Sequence, residues 1–311
     1  YQQRQVFAAT KNEPQSVYTT QTNDFNSFRV SIPARDDDAV TFTVAAKRVN
    51  EIRHILSLGS LVLLTSGGEW RVSEGRDEVL TPSSVGVRIQ SYNGSSWVKP
   101  VIINSTALYL QEKGSRIRDL NYEYSSDGYT GNDLSIMAEH LFDGFTITDM
   151  TYTDEPYGIL WCVRSDGVLL GLTYLKEHQV WGWHRHTTDG TFESVATISE
   201  DGRDALYAIV NRTIGGATKR YVERLEKREV IDAEDAFYVD SGLSYDGSAA
   251  TTISGLNHLE GEAVDVLADG YEVTGLTVAS GSITLSRAAS KVHVGLKYTP
   301  VIETLDIDTN S

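Results

Sequence analysis

The sequence predicts an all-β protein: β-propeller-like repeats with one inserted helix, followed by a small C-terminal β domain. Three observations carry this prediction. Short runs rich in β-branched and aromatic residues recur, separated by turns of Gly, Asp, Asn and Ser. The same strand–turn–strand pattern returns every ~50 residues, a period that fits propeller blades. One stretch alone has helical periodicity.

The clearest copy spans residues 158–186. Residues 159–164, 168–175 and 179–186 read as three strands of a meander, and Asp166-Gly167 is a tight-hairpin signal. Sister copies open at Gln5, Leu61, Ala107 and Ala205. Their turns fall at 11–14, 66–68, 112–114 and 212–216. Each copy except the first is preceded by another strand-like run, at 51–56, 99–103, 146–152 and 192–198. The unit is therefore three or four antiparallel strands. A sheet so repetitive must hide its edges, and radial closure does so. A twisted β-sandwich would use the same strands and stays open as the alternative packing.

The helix is expected near 133–143, inserted between the third and fourth repeats. Asn132 or Asp133 caps it, Gly144 closes it, and Leu134, Met137, Ala138, Leu141 and Phe142 mark one face at i, i+3, i+4, i+7 and i+8. We expect that face to pack on the blades or on a neighbouring subunit. The character changes after Leu225. Residues 226–229 and 232–235 are charged and poor in apolar groups, like a linker. Short strands follow at 252–259, 263–268, 271–273, 275–278, 282–285 and 291–296, with hairpin turns at Asp269-Gly270 and Ser280-Gly281. The expected domains are thus 1–226, propeller-like with about five visible blade repeats, and 227–311, a small antiparallel β domain.

Charge narrows the function. The chain has 311 residues, with 43 acids against 27 bases, a net charge of −16 and a pI near 4.8. An acidic surface repels phosphate, which argues against tight or sequence-specific DNA binding. It suits a surface that DNA slides past. No apolar run approaches the ~18 residues of a membrane-spanning helix, so no membrane insertion by this segment is expected. The chain opens on Tyr1 without a basic-then-apolar leader, which reads as a fragment of a longer protein.

Catalytic motifs are missing from the sequence: it contains no Gly-x-Ser-x-Gly, no Walker loop and no His-Glu-x-x-His. We expect no enzyme activity and no cofactor. The lone cysteine, Cys162, sits in an apolar strand and reads as a small buried hydrophobe. His184 and His186 share one strand face and could begin a metal site, but no third ligand is evident. The run Asp36-Asp37-Asp38 reads as a solvated loop. Asp306, Asp308 and Asn310 resemble the start of a calcium loop without its remainder. Trp70, Trp97, Trp161, Trp181 and Trp183 admit a sugar-stacking reading, against which stands the need for large aromatics between blades. A basic strip, Lys219, Arg220, Arg224, Lys227 and Arg228, is interleaved with Glu223, Glu226 and Glu229, so it fits an ion-paired interface as well as a phosphate contact.

An ordered set of segments resembles one known family. It begins with Tyr1-Gln-Gln-Arg-Gln-Val-Phe-Ala-Ala-Thr and continues with Thr65-Ser-Gly-Gly-Glu-Trp, Leu80-Thr-Pro-Ser-Ser-Val and Asp133-Leu-Ser-Ile-Met-Ala-Glu-His-Leu-Phe. Trp161-Cys-Val-Arg-Ser-Asp-Gly, Tyr221-Val-Glu-Arg-Leu and Gly255-Leu-Asn-His-Leu-Glu-Gly-Glu complete it. Together they resemble the tail nozzle (tail hub, tail tubular B-like) proteins of short-tailed bacteriophages, in a phage or a prophage copy, over nearly the whole chain. The resemblance implies a β-propeller with added β domains and no catalytic residues. It implies a homohexameric ring that continues the tail tube below the portal and adaptor, with double-stranded DNA passing through the lumen during ejection. The implied partners are further copies of the chain, adaptor or portal-side proteins, and tail fibres or spikes. The implied location is the virion tail, after synthesis in the bacterial host cytoplasm. A closed ring needs heterologous contacts, for which Arg220, Arg224, Met137 and Leu141 are the candidate interface residues. A propeller-type protein that binds or cleaves cell-surface glycans is the alternative function, and a bacterial adhesin segment is a third.

Overall fold

A computed structural model describes residues 1–45, 50–73 and 79–302. Asp306, Asp308 and Asn310 lie outside the described residues. Among the described residues, regular structure consists of β-strands and short 3-10 turns, and no helix is long and apolar enough to cross a membrane.

The predicted repeats become sheets. The first sheet holds β1 (Val6–Ala8), β2 (Ser16–Thr19) and β3 (Thr41–Thr43). The second holds β4 (Ile52–Ser57), β5 (Leu61–Thr65), β6 (Gly68–Ser73) and β7 (Gly86–Ser91). The third holds β8 (Val101–Ile103), β9 (Thr106–Leu110), β10 (Ile117–Glu123) and β11 (Gly128–Thr130). The fourth holds β12 (Ile147–Thr153), β13 (Ile159–Arg164), β14 (Leu169–Leu175) and β15 (Val180–His186). The fifth holds β16 (Thr191–Glu200), β17 (Arg203–Ile214) and β18 (Ala217–Arg224). In all five, each strand lies beside its neighbour in the chain, so each is a meander. The last sheet holds β19 (Asp240–Ser254), β20 (Ala263–Ala268), β21 (Tyr271–Thr277) and β22 (Ser282–Leu296), in the order β19-β22-β20-β21. The fold is all-β and propeller-like.

Strand alternation explains how the sheets stack. Side chains of β5 point alternately to its two faces. Leu61 and Leu63 join Val17, Val40 and Ile52 in one core, shared with the first sheet. Val62 and Leu64 join Ala107, Tyr109 and Leu120 in another, shared with the third. Both faces are covered, so β5 reads as an unbroken apolar run. Each such leucine is worth about 1.5–3 kcal/mol of burial.

The chain divides into two compact units: Tyr1–Tyr152, Gly158–Asp166 and Gly171–Trp183 in one, and Thr153–Tyr157, Gly167–Leu170 and His184–Ser311 in the other. The predicted boundary at 226/227 falls inside the second unit. The reason is a shared core. Ile214 of β17 is buried with Ile253, Val266 and Val292 of the last sheet, and Tyr221 of β18 packs against the same cluster. A polar network reinforces it. The Arg212 guanidinium, 1% exposed, donates to both Glu223 carboxylate oxygens (2.6 and 2.7 Å) and to Thr188 Oγ1 (2.7 Å), and Thr188 donates to Asp240 Oδ2 (2.6 Å). The charged segment expected to act as a linker is itself tied down, with Arg203 paired to Glu229 and Lys291 to Asp235.

The expected α-helix near 133–143 is a correction. Residues Ile136–Leu141 form 3-10 turns, broken at Ala138 (φ −131°, ψ 33°). Leu134 explains why. Its N–H donates to the Ile117 carbonyl and its own carbonyl accepts from Trp183 Nε1 (2.7 Å), so both backbone groups are used outside a helix. Asp133 Oδ1 accepts from Ser135 N (2.9 Å) and Oγ (2.6 Å), which sets a tight turn instead of a first α turn. The remaining stretch is too short to be helical without tertiary support. Leu134, Ala138, Leu141 and Phe142 are still buried, as the periodicity required, while Met137 is 91% exposed.

In the last sheet, Asp269 (φ +46°) and Gly270 (φ +79°) form the expected hairpin turn, with both residues in the left-handed region.

Candidate subunit interface

The four predicted interface residues differ sharply in availability. Met137 stands in solvent. Leu141 is 6% exposed, and its carbonyl accepts from Arg164 Nη1 (2.8 Å), so it serves its own core and presents no surface. Arg220 and Arg224 lie four residues apart on β18 and therefore on one face. Both are already engaged within the chain. Arg220 Nε donates to Glu193 Oε2 (2.5 Å), and Arg224 donates to Glu200 (3.0 Å) and Glu226 (3.2 Å). Those bonds hold Glu193 below the usual carboxylate range; Glu200 is lowered first by the Tyr207 hydroxyl and then by Arg224.

The face that carries these arginines also carries apolar groups that sequence reasoning missed. The register sets Ser194, Ile209 and Val222 in one row across the fifth sheet, and Ala196, Tyr207 and Arg224 in the next. Ile209 is 37% exposed, Val222 74%, and Ile198, two positions further along β16, 48%. The opposite face is closed: Val195, Leu206, Ala208, Val210 and Arg212 are buried. The signal was in β17, whose Ala205, Tyr207 and Ile209 put apolar groups on the second face as well.

A comparable open face lies on the first sheet. Phe7, Tyr18 and Thr41 form one row. The adjacent row, Ala8, Val17 and Phe42, points the other way, into the core shared with the second sheet. Phe7 meets Phe28 with ring centroids 5.8 Å apart, and the two are 43% and 54% exposed. The loop bearing Phe28 is firmly anchored. Arg4, 3% exposed, donates to the carbonyls of Thr20 (2.8 Å), Asp36 (2.9 Å) and Asp38 (2.6 Å). Asp38 accepts from Ser31 N (2.9 Å) and Arg35 N (2.8 Å), and these backbone bonds hold its carboxyl below the usual range. So the acidic run is in part a buried anchor, where a solvated loop was expected.

The other sequence candidates fall into place around this. His184 Nδ1 and His186 Nε2 are 2.8 Å apart. Burial lowers both, His186 to about 4 with help from its neighbour and Arg228. Among the described residues no group of three or more His, Cys, Asp or Glu converges as a metal site. Cys162 is fully buried, which pushes its thiol up. Trp161 and Trp70 fill the core at 1% and 7% exposure, and Trp183 packs edge-on against Phe142. Trp97 and Trp181 do not fill a wedge: they are 60% and 42% exposed. A cavity of about 200 Å³ opens beside Tyr109, Arg118, Asp119 and Tyr129, polar and roomy enough for a few waters.

No protein-family model matches the chain, and no curated protein does. Among solved structures, the crystal structure of a protein from Lactobacillus plantarum is similar at 12% identity with a TM-score of 0.37, covering 68% of each chain. A likeness at that score carries no argument about function, and the chain's own strands define it as an all-β, propeller-like protein.

Proposed function

We propose that this chain is a structural component of a short-tailed phage tail, part of a ring-shaped nozzle through which double-stranded DNA is ejected. The order of the sequence motifs suggests the family, and one physical observation supports the role: how the cations are used. Arg53, Arg71, Arg116, Arg164, Arg203, Arg212, Arg220 and Arg224 all pair with carboxylates of the same chain. With 43 acids against 27 bases, the chain as a whole stays at a net charge of −16, which disfavours a grip on phosphate. A wall of this net charge repels DNA on balance, as a conduit requires. The second sheet, with a core on each face, makes its part of such a wall stiff.

The test is the assembly state at high concentration, read by native mass spectrometry and negative-stain electron microscopy. Six-membered rings with a central hole are expected. A chain that stays monomeric under all conditions contradicts the proposal.

A second reading rests on Trp97. Its ring is open to solvent on a surface where the Arg53 guanidinium lies 5.5 Å from its centroid, and Tyr92 nearby in sequence is 80% exposed. Exposed aromatic faces of this kind stack on sugar rings. Binding on a glycan array that Trp97→Ala abolishes would favour that reading.

A further inference from the structure

We propose that the cavity between the second and third sheets binds one small, neutral, hydroxyl-rich molecule, a monosaccharide unit or a comparable polyol. The proposal goes beyond the conduit reading and does not depend on it. It uses none of the exposed surface at Trp97.

The cavity has a volume of about 200 Å³ and lies within one compact unit. Ser91 of β7 and Asn93 just after it line one side, and Tyr109 of β9 with Arg118, Asp119 and Leu120 of β10 line the other. The volume equals that of about seven waters in the liquid. It falls below the range of drug-sized pockets, so it suits a single small molecule.

The polar groups around it are built in but not fully used. Arg118 differs from the eight arginines that pair with carboxylates. Among the described residues its guanidinium donates to the Gly131 carbonyl (3.1 Å) and to no carboxylate, and its buried Nε has no acceptor. Asp119 is 1% exposed; its Oδ1 accepts from Asn132 N (2.5 Å), while its Oδ2 has only a long bond from the Tyr174 hydroxyl (3.4 Å). A carboxylate has about four acceptor sites, so Asp119 retains capacity. Behind the wall stands Glu69, 0% exposed, which accepts from Ser91 through Oε2 and has no partner for Oε1 among the described residues. Burial, and then Glu69, raise the Tyr109 hydroxyl, which therefore stays protonated; Arg118 acts on it in the opposite sense. Buried polar groups in native proteins are paired, and here donors and acceptors with spare capacity meet at one cavity.

Charge selects the class of ligand. An anion would face the carboxylates of Asp119 and Glu69, and a cation would face the Arg118 guanidinium. A hydroxyl donates and accepts at once, so neighbouring hydroxyls satisfy Arg118 Nε and Asp119 together without adding charge. Leu120 and the Tyr109 ring offer an apolar side for the C–H groups of the same molecule.

Isothermal titration calorimetry of the full chain with glucose, galactose, N-acetylglucosamine and glycerol tests this, with inorganic phosphate and calcium chloride as charged controls. Saturable 1:1 binding is expected for at least one of the four neutral probes and for neither control. Arg118→Gln, with folding checked by circular dichroism, should weaken that binding about tenfold or more, as for loss of a hydrogen bond to a charged group. A second readout needs no variant: the Arg118 Nε–H resonance in a nitrogen-15 NMR spectrum should move on saturation with the bound probe, because Nε gains an acceptor. Binding of none of the four probes means that water alone fills the cavity and overturns the proposal. Binding of phosphate or calcium in their place, full affinity in a folded Arg118→Gln chain, or an unmoved Arg118 resonance overturns it as well. A chain that forms rings and binds no polyol leaves the conduit reading standing.

Discussion

β5 and β17 are both inner strands of meander sheets, and they are built differently. β5 is buried at every position. In β17, Leu206, Ala208, Val210, Arg212 and Ile214 are buried while Ile209, Asn211 and Thr213 are not. The difference follows from cover: β5 has a core on each face, whereas β17 has one core face and one open face. An unbroken apolar run thus reports a sheet enclosed between neighbours. An alternating strand with exposed outer positions such as Ile209 and Thr213 reports a sheet with a core on one face only.

Substitutions sharpen the contrast. Leu63→Ala empties a site that is 0% exposed and should cost about 2–5 kcal/mol in a denaturant melt, the usual range for a core leucine that cannot collapse. A loss under 1 kcal/mol would mean that the second sheet is not enclosed. The next effect is smaller and depends on pH. The ordinary histidine value is near 6.5, and burial holds His186 at about 4, so the unfolded chain binds the proton more readily. The neutral fold is fully stable above pH 7 and loses stability as pH falls through 6.5 toward 4. We expect about 1–3 kcal/mol over that window, with the part between pH 7 and 5 reduced in His186→Gln. An unchanged slope in the variant contradicts the assignment. The smallest effect belongs to β17: Ile209→Ala in the dissociated chain should shift stability by no more than about 0.5 kcal/mol, as for exposed positions generally.

Much of the fold was legible in the sequence because tight turns and period-two runs are local signals. β5 and β13 begin at the predicted Leu61 and Ile159, and β20 matches its predicted run at 263–268. The misses have non-local causes. β19 was recognised only from Thr252, because residues 240–251 are rich in Gly and Ser and become strand only by pairing with the long β22. The helical pattern around Leu134 was real as a burial pattern, but hydrogen bonds to Ile117 and Trp183 decided the backbone. The charged stretch after Leu225 reads as a linker until Ile214 and Tyr221 are placed in the core beyond it. At the candidate interface, Arg220 and Arg224 were visible as a strip of charge. The apolar rows beside them depend on strand register and could not be seen in one dimension. Phe28 gains its meaning only from Phe7, 21 positions away in the chain.

The central claim is that these sheets build the wall of a DNA conduit, and the charge of that wall is its most direct measure. A cryo-electron microscopy reconstruction of the assembled ring would show which residues line the lumen. The account predicts a central channel faced mainly by Asp and Glu, with the arginines turned into ion pairs within or between subunits. A channel lined mainly by Lys and Arg, or an assembly with no channel, would contradict it.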